Sequence, residues 1–195
     1  MSRVTFDISM SLDGFIAAAN VRPDEPLGEG GEVLHDWAIG ADDRGREVLT
    51  RGVGTTGAVI CGRRTYDDSL PWWGADGPTG PARRPVFVVT HAEPEVVPED
   101  GVYEFVLDGI GPALVGARRA AGAKGVCVMG GADLGRQFLA AGAVDELQLH
   151  VVPVLFGSGT RLFDHFLPDH IRLQVAEVVD TPTATHIRYR IVHQP

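Results

Sequence analysis

The sequence contains only two cysteines among its 195 residues, and both lie inside short apolar runs. Cys61 stands in AVICG and Cys127 in VCVMG, and their spacing matches no zinc-binding pattern. Cysteines in such runs usually behave as small buried hydrophobic residues. The sequence therefore predicts neither a disulfide framework nor a metal site.

Long hydrophobic runs and an excess of positive charge are missing as well. No uninterrupted apolar run reaches the roughly 18 residues of a membrane span, and the N-terminal MSRVTFDIS has no apolar region typical of a signal peptide. The net charge of −9 argues against nucleic-acid binding, which needs a basic face. We expect a cytoplasmic protein that binds neither membranes nor nucleic acid, although a small phosphorylated ligand needs only a few local donors.

The remaining pattern, with 44% hydrophobic residues, predicts one α/β domain over residues 1–195. The N-terminal residues 4–10 alternate between apolar and polar, as in a half-buried strand. Short apolar runs then alternate with segments of helical periodicity, and residues 171–178 and 185–192 predict an antiparallel hairpin. We therefore expect a mostly parallel central sheet with an antiparallel C-terminal edge. The predicted buried strands are 57–62, 86–89 and 126–129.

Local signals also set the bounds of two predicted helices. One runs from Asp42 to Arg51, because an acid stands at its start. The other begins at Arg63 and is expected to end before Pro71, since proline cannot donate the helical hydrogen bond. The Gly- and Pro-rich residues 72–85 then predict a loop.

Three predicted strands end in glycines or polar donors. Gly130-Gly131 lies between a strand and a helix, Arg63-Arg64-Thr65 opens a helix after Gly62, and Thr90-His91 follows a third strand. Taken singly, these are a turn that needs positive φ, a pair of solvated arginines and an ordinary strand exit. Together they favour an extended phosphorylated ligand along the carboxyl edge of the sheet, where helix N-termini offer unpaired N–H groups.

Other motifs carry weaker signals. The segment DHFLPDH (164–170) has two histidines, but their spacing and its proline favour a solvated loop over a metal site. The GSG at 157–159 is not the G-x-S-x-G nucleophile motif. His35-Asp36-Trp37 is either a cluster on the substrate side or an ordinary core tryptophan with polar neighbours.

Several segments, in order along the chain, carry a family resemblance. SLDGFIAA, CGRRTYD, VFVVTH and VMGGADLGRQFLAAGAVDELQLHVVPVLFGSGTRLF together resemble the dihydrofolate reductase superfamily, and within it the branch of the C-terminal reductase domain of riboflavin biosynthesis, RibD. The resemblance covers about residues 4–192. It implies a dihydrofolate-reductase-like fold with helices on both faces of the sheet, an NADPH-dependent oxidoreductase, and a homodimer formed through the antiparallel end.

The resemblance also implies roles for individual residues. Arg63 would bind the 2′-phosphate of NADPH, Arg64 and Thr65 the diphosphate, and Thr90 and His91 the adenosine end. Ile16 would pack on the nicotinamide. The second diphosphate loop, whose Gly-Gly peptide is commonly strained or cis in the family, corresponds to Gly130, Gly131, Ala132, Asp133 and Leu134, and Gly62 closes the strand before the first loop.

The departures from the family concern the substrate side. Riboflavin reductases commonly carry an acid just before the glycine pair, where this chain has Val128 and Met129. The first-helix acid of dihydrofolate reductases has no clear match, although Asp36, Asp42 and Asp43 lie nearby in the sequence. The paired deaminase motif is incomplete, because H-x-E occurs at His91-Ala92-Glu93 but no P-C-x-x-C occurs in the sequence. Candidate substrate residues are therefore Asp36, Trp37 and Met129.

Two functions follow as hypotheses. The first is a reductase that transfers hydride from NADPH to a small heterocycle or imine, as a RibD-like 5-amino-6-(5-phosphoribosylamino)uracil reductase or a dihydrofolate reductase does. Asp13, on the loop expected over the nicotinamide, is its candidate proton donor, although Asp13-Gly14 is also a common turn. The alternative is a protein that keeps the NADP site but has lost turnover together with the substrate acid.

Overall fold

The sheet at the centre of the computed structural model has eight strands in the described residues, which are 2–40, 43–164 and 170–192. Its order is β5-β4-β3-β6-β1-β7-β10-β9, and β2 pairs separately with β8. The strands are β1 (Val4–Ser11), β2 (Phe15–Ala17), β3 (Thr56–Gly62), β4 (Val86–Val89), β5 (Tyr103–Val106), β6 (Gly125–Met129), β7 (Glu146–Val152), β8 (Thr160–Arg161), β9 (Arg172–Asp180) and β10 (Thr185–Val192).

The direction of the strands confirms the predicted fold class. From β5 to β7 neighbouring strands pair in parallel, whereas β10 pairs antiparallel with both β7 and β9. Of the parallel strands, β3 and β4 are short apolar runs buried on both faces, and the alternating C-terminal segments form the antiparallel edge. The carboxyl ends of β4, β3, β6 and β1 consequently lie side by side at one edge of the sheet.

Helices cover both faces, as expected. Their bounds are α1 (Asp36–Ile39), α2 (Asp43–Thr55), α3 (Arg63–Trp73), α4 (Ile110–Ala121) and α5 (Ala132–Ala140), with short 3-10 helices at Gly31–His35 and Gly80–Ala82. Helices α4 and α5 pack on the face that carries Val4, Phe6 and Ile8, and α3 packs on the opposite face over β3 and β4.

The fit between α5 and β1 is close. A Cβ added at Gly135 would overlap the ring of the fully buried Phe6, lying 2.6 Å from Cε2 and nearer still to other ring atoms. Glycine at this position therefore lets the helix backbone approach the sheet, and it fixes how α5 and its N-terminus sit relative to the strand ends.

Two predicted helix bounds are wrong. Helix α3 continues through Pro71 to Trp73, and Leu70 and Trp73 pack against the buried cluster around Tyr66. Because the proline lies near the end of the helix, one missing backbone hydrogen bond is outweighed by this packing. Helix α2 extends to Thr55, and Asp42, its predicted start, lies outside the described residues.

Cys61 and Cys127 are both free, and burial raises the pKa of the Cys61 thiol to about 12. No helix in the described part of the chain combines the length and the apolar character that a membrane span requires.

Candidate active site

The three strand ends singled out in the sequence lie next to one another. Strands β4, β3 and β6 are consecutive in the sheet, and they lead into Thr90, Arg63 and Gly130 respectively. One open cavity of about 2220 Å³ extends from this edge across the sheet face that carries Asp7, as far as the opposite strand ends at Arg3 and Gly125. Its lining includes all the residues proposed for the cofactor: Ile16, Gly62, Arg63, Arg64, Thr65, Thr90, His91, Gly130, Gly131, Ala132, Asp133 and Leu134.

The glycine pair meets the first turn of α3. Gly130 and Gly131 both have positive φ, 69° and 60°, and the peptide between them is trans. A Cβ on Gly130 would lie 2.5 Å from Thr65 Oγ1 and closer to Cγ2, whereas one on Gly131 would lie 3.5 Å from Oγ1. Gly130 is therefore required both by its backbone conformation and by the approach of Thr65, which brings the two loops into direct contact.

The N-termini of α3 and α5 both lie at the cavity. Neither helix has a side-chain cap, and their N-cap residues are Gly62 and Gly131. The first backbone N–H groups of each helix have no intrahelical acceptor, and the helix dipole adds partial positive charge there. Two helix N-termini at the same cavity suit a diphosphate. The two N-cap glycines carry no Cβ that would obstruct it.

The two arginines differ in how firmly they are held. Arg63 donates from Nε to both oxygens of Asp67 at 2.8 Å and from Nη1 to the Ala92 carbonyl at 2.8 Å. It is about one-third exposed and ties α3 to the loop after β4. Arg64 is 71% exposed and lies 3.4 Å from Asp68. A fixed guanidinium beside that loop is suited to a phosphate, whereas Arg64 is held by one exposed ion pair.

Thr90 is buried and organises the loop after β4. Its hydroxyl donates to the Ala92 carbonyl at 2.7 Å and accepts from the Ala92 amide at 3.3 Å. The neighbouring His91 is exposed. The hydroxyl of Thr90 thus shapes the turn that Arg63 contacts, and His91 is the side chain there that remains accessible to a ligand.

The structure argues against Asp13 as a proton donor. Its carboxylate accepts hydrogen bonds from Ser11 Oγ at 2.6 Å, from the Gly157 amide at 2.7 Å and from the Phe156 amide at 3.1 Å. The Ser11 bond is the main reason that the pKa of Asp13 falls to about 2, and the two amides add to it. Asp13 is therefore ionised at neutral pH, and its role in the structure is to hold the 156–157 loop.

The three candidate substrate residues differ in their position relative to the cavity. Met129 and Trp37 line the cavity, but Asp36 is exposed and lies outside its lining. Trp37 is buried, as in the alternative interpretation, and its indole N–H donates to Ser9 Oγ at 2.9 Å. The predicted loop 164–170 falls largely on residues 165–169, which lie outside the described residues. Within the described residues, no group of three or more histidine, cysteine or acidic side chains could hold a metal ion.

A polar cluster on the floor of the cavity was missed by the sequence analysis. Asp7 lies beside Met129 in the β1–β6 register, and its Oδ1 is 3.0 Å from His150 Nε2. His150 Nδ1 is in turn 2.6 Å from Nδ1 of His186. The available signal was the alternation in β1, which sends Asp7 to the face opposite Phe6 and Ile8.

Comparison with known proteins identifies the family. A sequence model of the RibD C-terminal domain matches residues 2–187. The chain belongs to the RibD C-terminal domain family. Two uncharacterized proteins of Bacillus subtilis (strain 168) are similar to it: YyaP, 28% identical over 83% of this chain and 80% of YyaP, and YwjB, 26% identical over 93% of this chain and 94% of YwjB.

Solved structures show the same fold. A riboflavin biosynthesis protein, so described, from Shewanella sp. PV-4 has a TM-score of 0.70 at 24% identity, with 99% of this chain and 100% of that one covered. The Thermotoga maritima deaminase and 5-amino-6-(5-phosphoribosylamino)uracil reductase has a TM-score of 0.65 at 17% identity, covering 98% of this chain and 57% of that one. Dihydrofolate reductase from Enterococcus faecalis, complexed with NADP(H), has a TM-score of 0.57 at 14% identity, with 97% and 96% covered. This member of the RibD C-terminal domain family thus has the dihydrofolate-reductase-like fold of these reductases.

Proposed function

We propose that this protein is an NADPH-dependent reductase of a small heterocycle or imine. The observation that carries the proposal is the meeting of three separate strand ends, each with its own donors, in one cavity along the sheet edge. The fold is that of the family's reductases, and the E. faecalis neighbour is complexed with NADP(H).

The residues at the cavity fit a dinucleotide with a 2′-phosphate. The uncapped ends of α3 and α5, with Thr65 and the Gly130-Gly131 pair, would hold the diphosphate. Arg63, fixed by Asp67 and Ala92, would bind the 2′-phosphate, with His91 beside the adenosine. Ile16, partly buried on the apolar core, would pack against the nicotinamide.

The reaction follows from the cofactor and the remaining walls. NADPH supplies a hydride to a polarised C=N or C=O bond. The chain contributes the substrate-facing wall, in which Met129 and Trp37 offer apolar contacts and Asp7 offers a carboxylate. Orienting the substrate against the nicotinamide is the main contribution that such a wall makes to the rate.

The alternative, an NADP-binding protein without turnover, is supported by Met129 in place of the family acid. Asp7 weakens that support, because it places a carboxylate on the adjacent strand beside Met129. A screen for NADPH oxidation over pteridines, pyrimidines and imines separates the two. Turnover of any of them supports the reductase, whereas tight NADPH binding with no turnover would leave the binding protein.

The cofactor assignment has its own test in a thermal-shift assay with NADPH and NADH. We expect NADPH to stabilise the wild-type protein more than NADH, and Arg63→Ala to remove the difference. Arg119→Ala is the matched control, because Arg119 is exposed on α4, on the other face of the sheet. Equal stabilisation by both cofactors, unchanged in Arg63→Ala, would show that the 2′-phosphate assignment is wrong.

A homodimer through the antiparallel edge is part of the proposal. Strand β9 exposes a row of apolar side chains, among them Leu173, Val175 and Val178. Exposed apolar patches of this kind often mark subunit interfaces. Analytical ultracentrifugation should therefore give a dimer for the wild-type protein and a monomer for Val175→Asp. A wild-type monomer at micromolar concentration would contradict this assignment.

A further inference from the structure

Three strands place a chain of hydrogen-bonding side chains under the cavity. In the sheet order β1-β7-β10, Ser9 is in register with His150, and His150 with His186, while Asp7 lies one row away. The contacts run from Asp7 Oδ1 to His150 Nε2 at 3.0 Å, and from His150 Nδ1 to His186 Nδ1 at 2.6 Å. This row of hydrogen bonds thus runs from the cavity floor into the interior of the protein.

The bond between the two imidazoles fixes their protonation. A hydrogen bond between two ring nitrogens needs one proton, because two protons clash and none leaves two lone pairs facing each other. With Asp7 ionised, His150 donates from Nε2 to the carboxylate and accepts at Nδ1 from His186. The remaining nitrogen, His186 Nε2, faces Thr181 Oγ1 at 3.4 Å. The Thr181 hydroxyl donates to the Ala184 carbonyl, so its oxygen is an acceptor for a further proton on His186.

The surroundings hold this arrangement in place. The side chain of His150 is 2% exposed and that of His186 is similarly buried, whereas Asp7 is 31% exposed at the cavity. Trp37 stacks on His150 with ring centroids 3.9 Å apart and contacts His186 edge-on at 4.9 Å. Because Trp37 covers both imidazole rings on one side, solvent reaches these hydrogen-bonded side chains mainly through Asp7.

Other charged and titratable groups lie near the chain on the elements packed against it. Arg188, two residues beyond His186 on β10, pairs with Glu177 of β9 at 2.8 Å. Cys127 lies on β6, where it pairs with Thr5 of β1. Desolvation lowers the pKa of His35, and the charge of His150 lowers it further. His35 and Cys127 are thus the groups whose own titration has to be separated from that of the histidine pair.

We propose that Asp7, His150 and His186 form a proton relay that protonates the substrate of the reductase. The inference rests on the proposed function. With both nitrogens of His186 protonated, a proton passes from His186 Nδ1 to His150 Nδ1, one from His150 Nε2 to Asp7, and one from Asp7 to the substrate nitrogen or oxygen. The substrate gains this proton and the hydride of NADPH, NADP⁺ is formed, and the pair takes up one proton from water. Asp7 is the catalytic residue, and the two histidines are positioning residues.

The position of Asp7 explains how a substrate-side acid is provided although the residue before the glycine pair is Met129. Asp7 and Met129 are paired across β1 and β6, so the two side chains stand next to each other on the same face. The carboxyl group of Asp7 therefore faces the same part of the cavity as a carboxyl group at position 129 would. The pair of histidines behind it supplies the proton that an ionised aspartate lacks.

The first experiment looks at the relay without turnover. In protein with ¹⁵N-labelled histidine, NMR should show a strongly downfield proton and a through-hydrogen-bond coupling between the two Nδ1 atoms of His150 and His186. In Asp7→Asn the signal of the shared proton should shift, because His150 Nε2 then faces a neutral amide in place of the carboxylate. Two rings that titrate independently, with no coupling, would overturn the relay.

The second experiment measures kinetics with a substrate found by the NADPH-oxidation screen. Asp7→Asn should lower kcat on the order of 10²- to 10⁴-fold, the usual contribution of a general acid, and leave the Kd of NADPH within twofold. His186→Phe, which keeps a ring in the buried site, should move the alkaline limb of the kcat profile to lower pH. Asp180→Asn is the control, because it removes a nearby carboxylate outside the cavity lining.

The outcomes separate the relay from the reductase. Turnover that persists within threefold in Asp7→Asn, with an unchanged pH profile in His186→Phe, would overturn the relay while the reductase stands. A protein that shows the shared proton but fails to oxidise NADPH with every substrate in the screen would overturn the reductase and, with it, the catalytic role of Asp7. Loss of rate in Asp7→Asn together with a shifted profile supports both.

Discussion

Replacing Gly130 by alanine tests how the two phosphate-side loops fit together. The backbone term comes from its φ of 69°, which an L-residue adopts at a cost of about 1–2 kcal/mol. The steric term comes from Thr65, whose Oγ1 would lie 2.5 Å from the new Cβ. That is roughly 1 Å inside normal van der Waals contact, and such overpacking usually costs about 1–3 kcal/mol. The predicted loss of stability is therefore about 2–5 kcal/mol.

Gly131→Ala is the matched variant that isolates the steric term. Its φ is similar, at 60°, but its Cβ would lie 3.5 Å from Thr65 Oγ1, an ordinary contact. We expect it to lose only a backbone contribution, about 1–3 kcal/mol, because its ψ of 116° lies outside the left-handed helical region. In the double variant Gly130→Ala/Thr65→Ala two of the three clashing atoms are gone and Thr65 Cβ remains 2.9 Å away, so part of the steric term should be recovered as a coupling energy on the order of 1 kcal/mol.

Urea denaturation followed by circular dichroism measures these three variants and Thr65→Ala alone, which the coupling energy requires, and melting temperatures give a second value. For a chain of this size, 1 kcal/mol corresponds to roughly 2–4 °C. The reasoning is refuted if Gly130→Ala and Gly131→Ala lose the same stability and Thr65→Ala restores none of it. That result would mean that Thr65 does not pack on the glycine loop.

The other predictions concern the cofactor, the loop under Asp13 and the core. Arg63→Ala should weaken NADPH binding by on the order of 10- to 100-fold, the value of a charge-assisted hydrogen bond, and leave NADH binding within twofold in a calorimetric titration. Asp13→Asn should be less stable than the wild type above about pH 4 and equal to it near pH 2. The reason is that a folded-state pKa of about 2 confers stability that is lost as the carboxylate is protonated. A difference in urea stability between the two proteins that persists unchanged at pH 2 would contradict this. Gly135→Ala should lower Tm by roughly 2–12 °C, through about 1–3 kcal/mol of overpacking against Phe6, and Phe6→Leu should reverse part of it.

The parallel part of the fold and its three loops could be predicted because their signals are local. Each buried strand is a short apolar run, and the residues proposed for the cofactor follow it directly, as Arg63 follows Gly62 and Gly130 follows Met129. The rule that the carboxyl ends of parallel strands meet then brings them together without knowledge of the strand order.

The polar cluster of Asp7, His150 and His186 could not be predicted in the same way, because its contacts join distant parts of the chain. Asp7, His150 and His186 come together only through the sheet order β1-β7-β10, which no local pattern specifies. The hydrogen-bond partners of Asp13 could not be predicted for the same reason. Its local sequence is a turn, but two of the groups that hold its carboxylate ionised are amides at residues 156 and 157.

The central claim, that NADPH lies along the ends of β4, β3 and β6, is tested most directly by mapping its binding with NMR. Amide shifts recorded while NADPH is added to ¹⁵N-labelled protein should change most at residues 62–65, 90–91 and 130–134, with little change in β9 and on the exposed face of α4. Saturating NADPH that leaves these three segments unchanged, or that perturbs other surfaces in their place, would contradict the account.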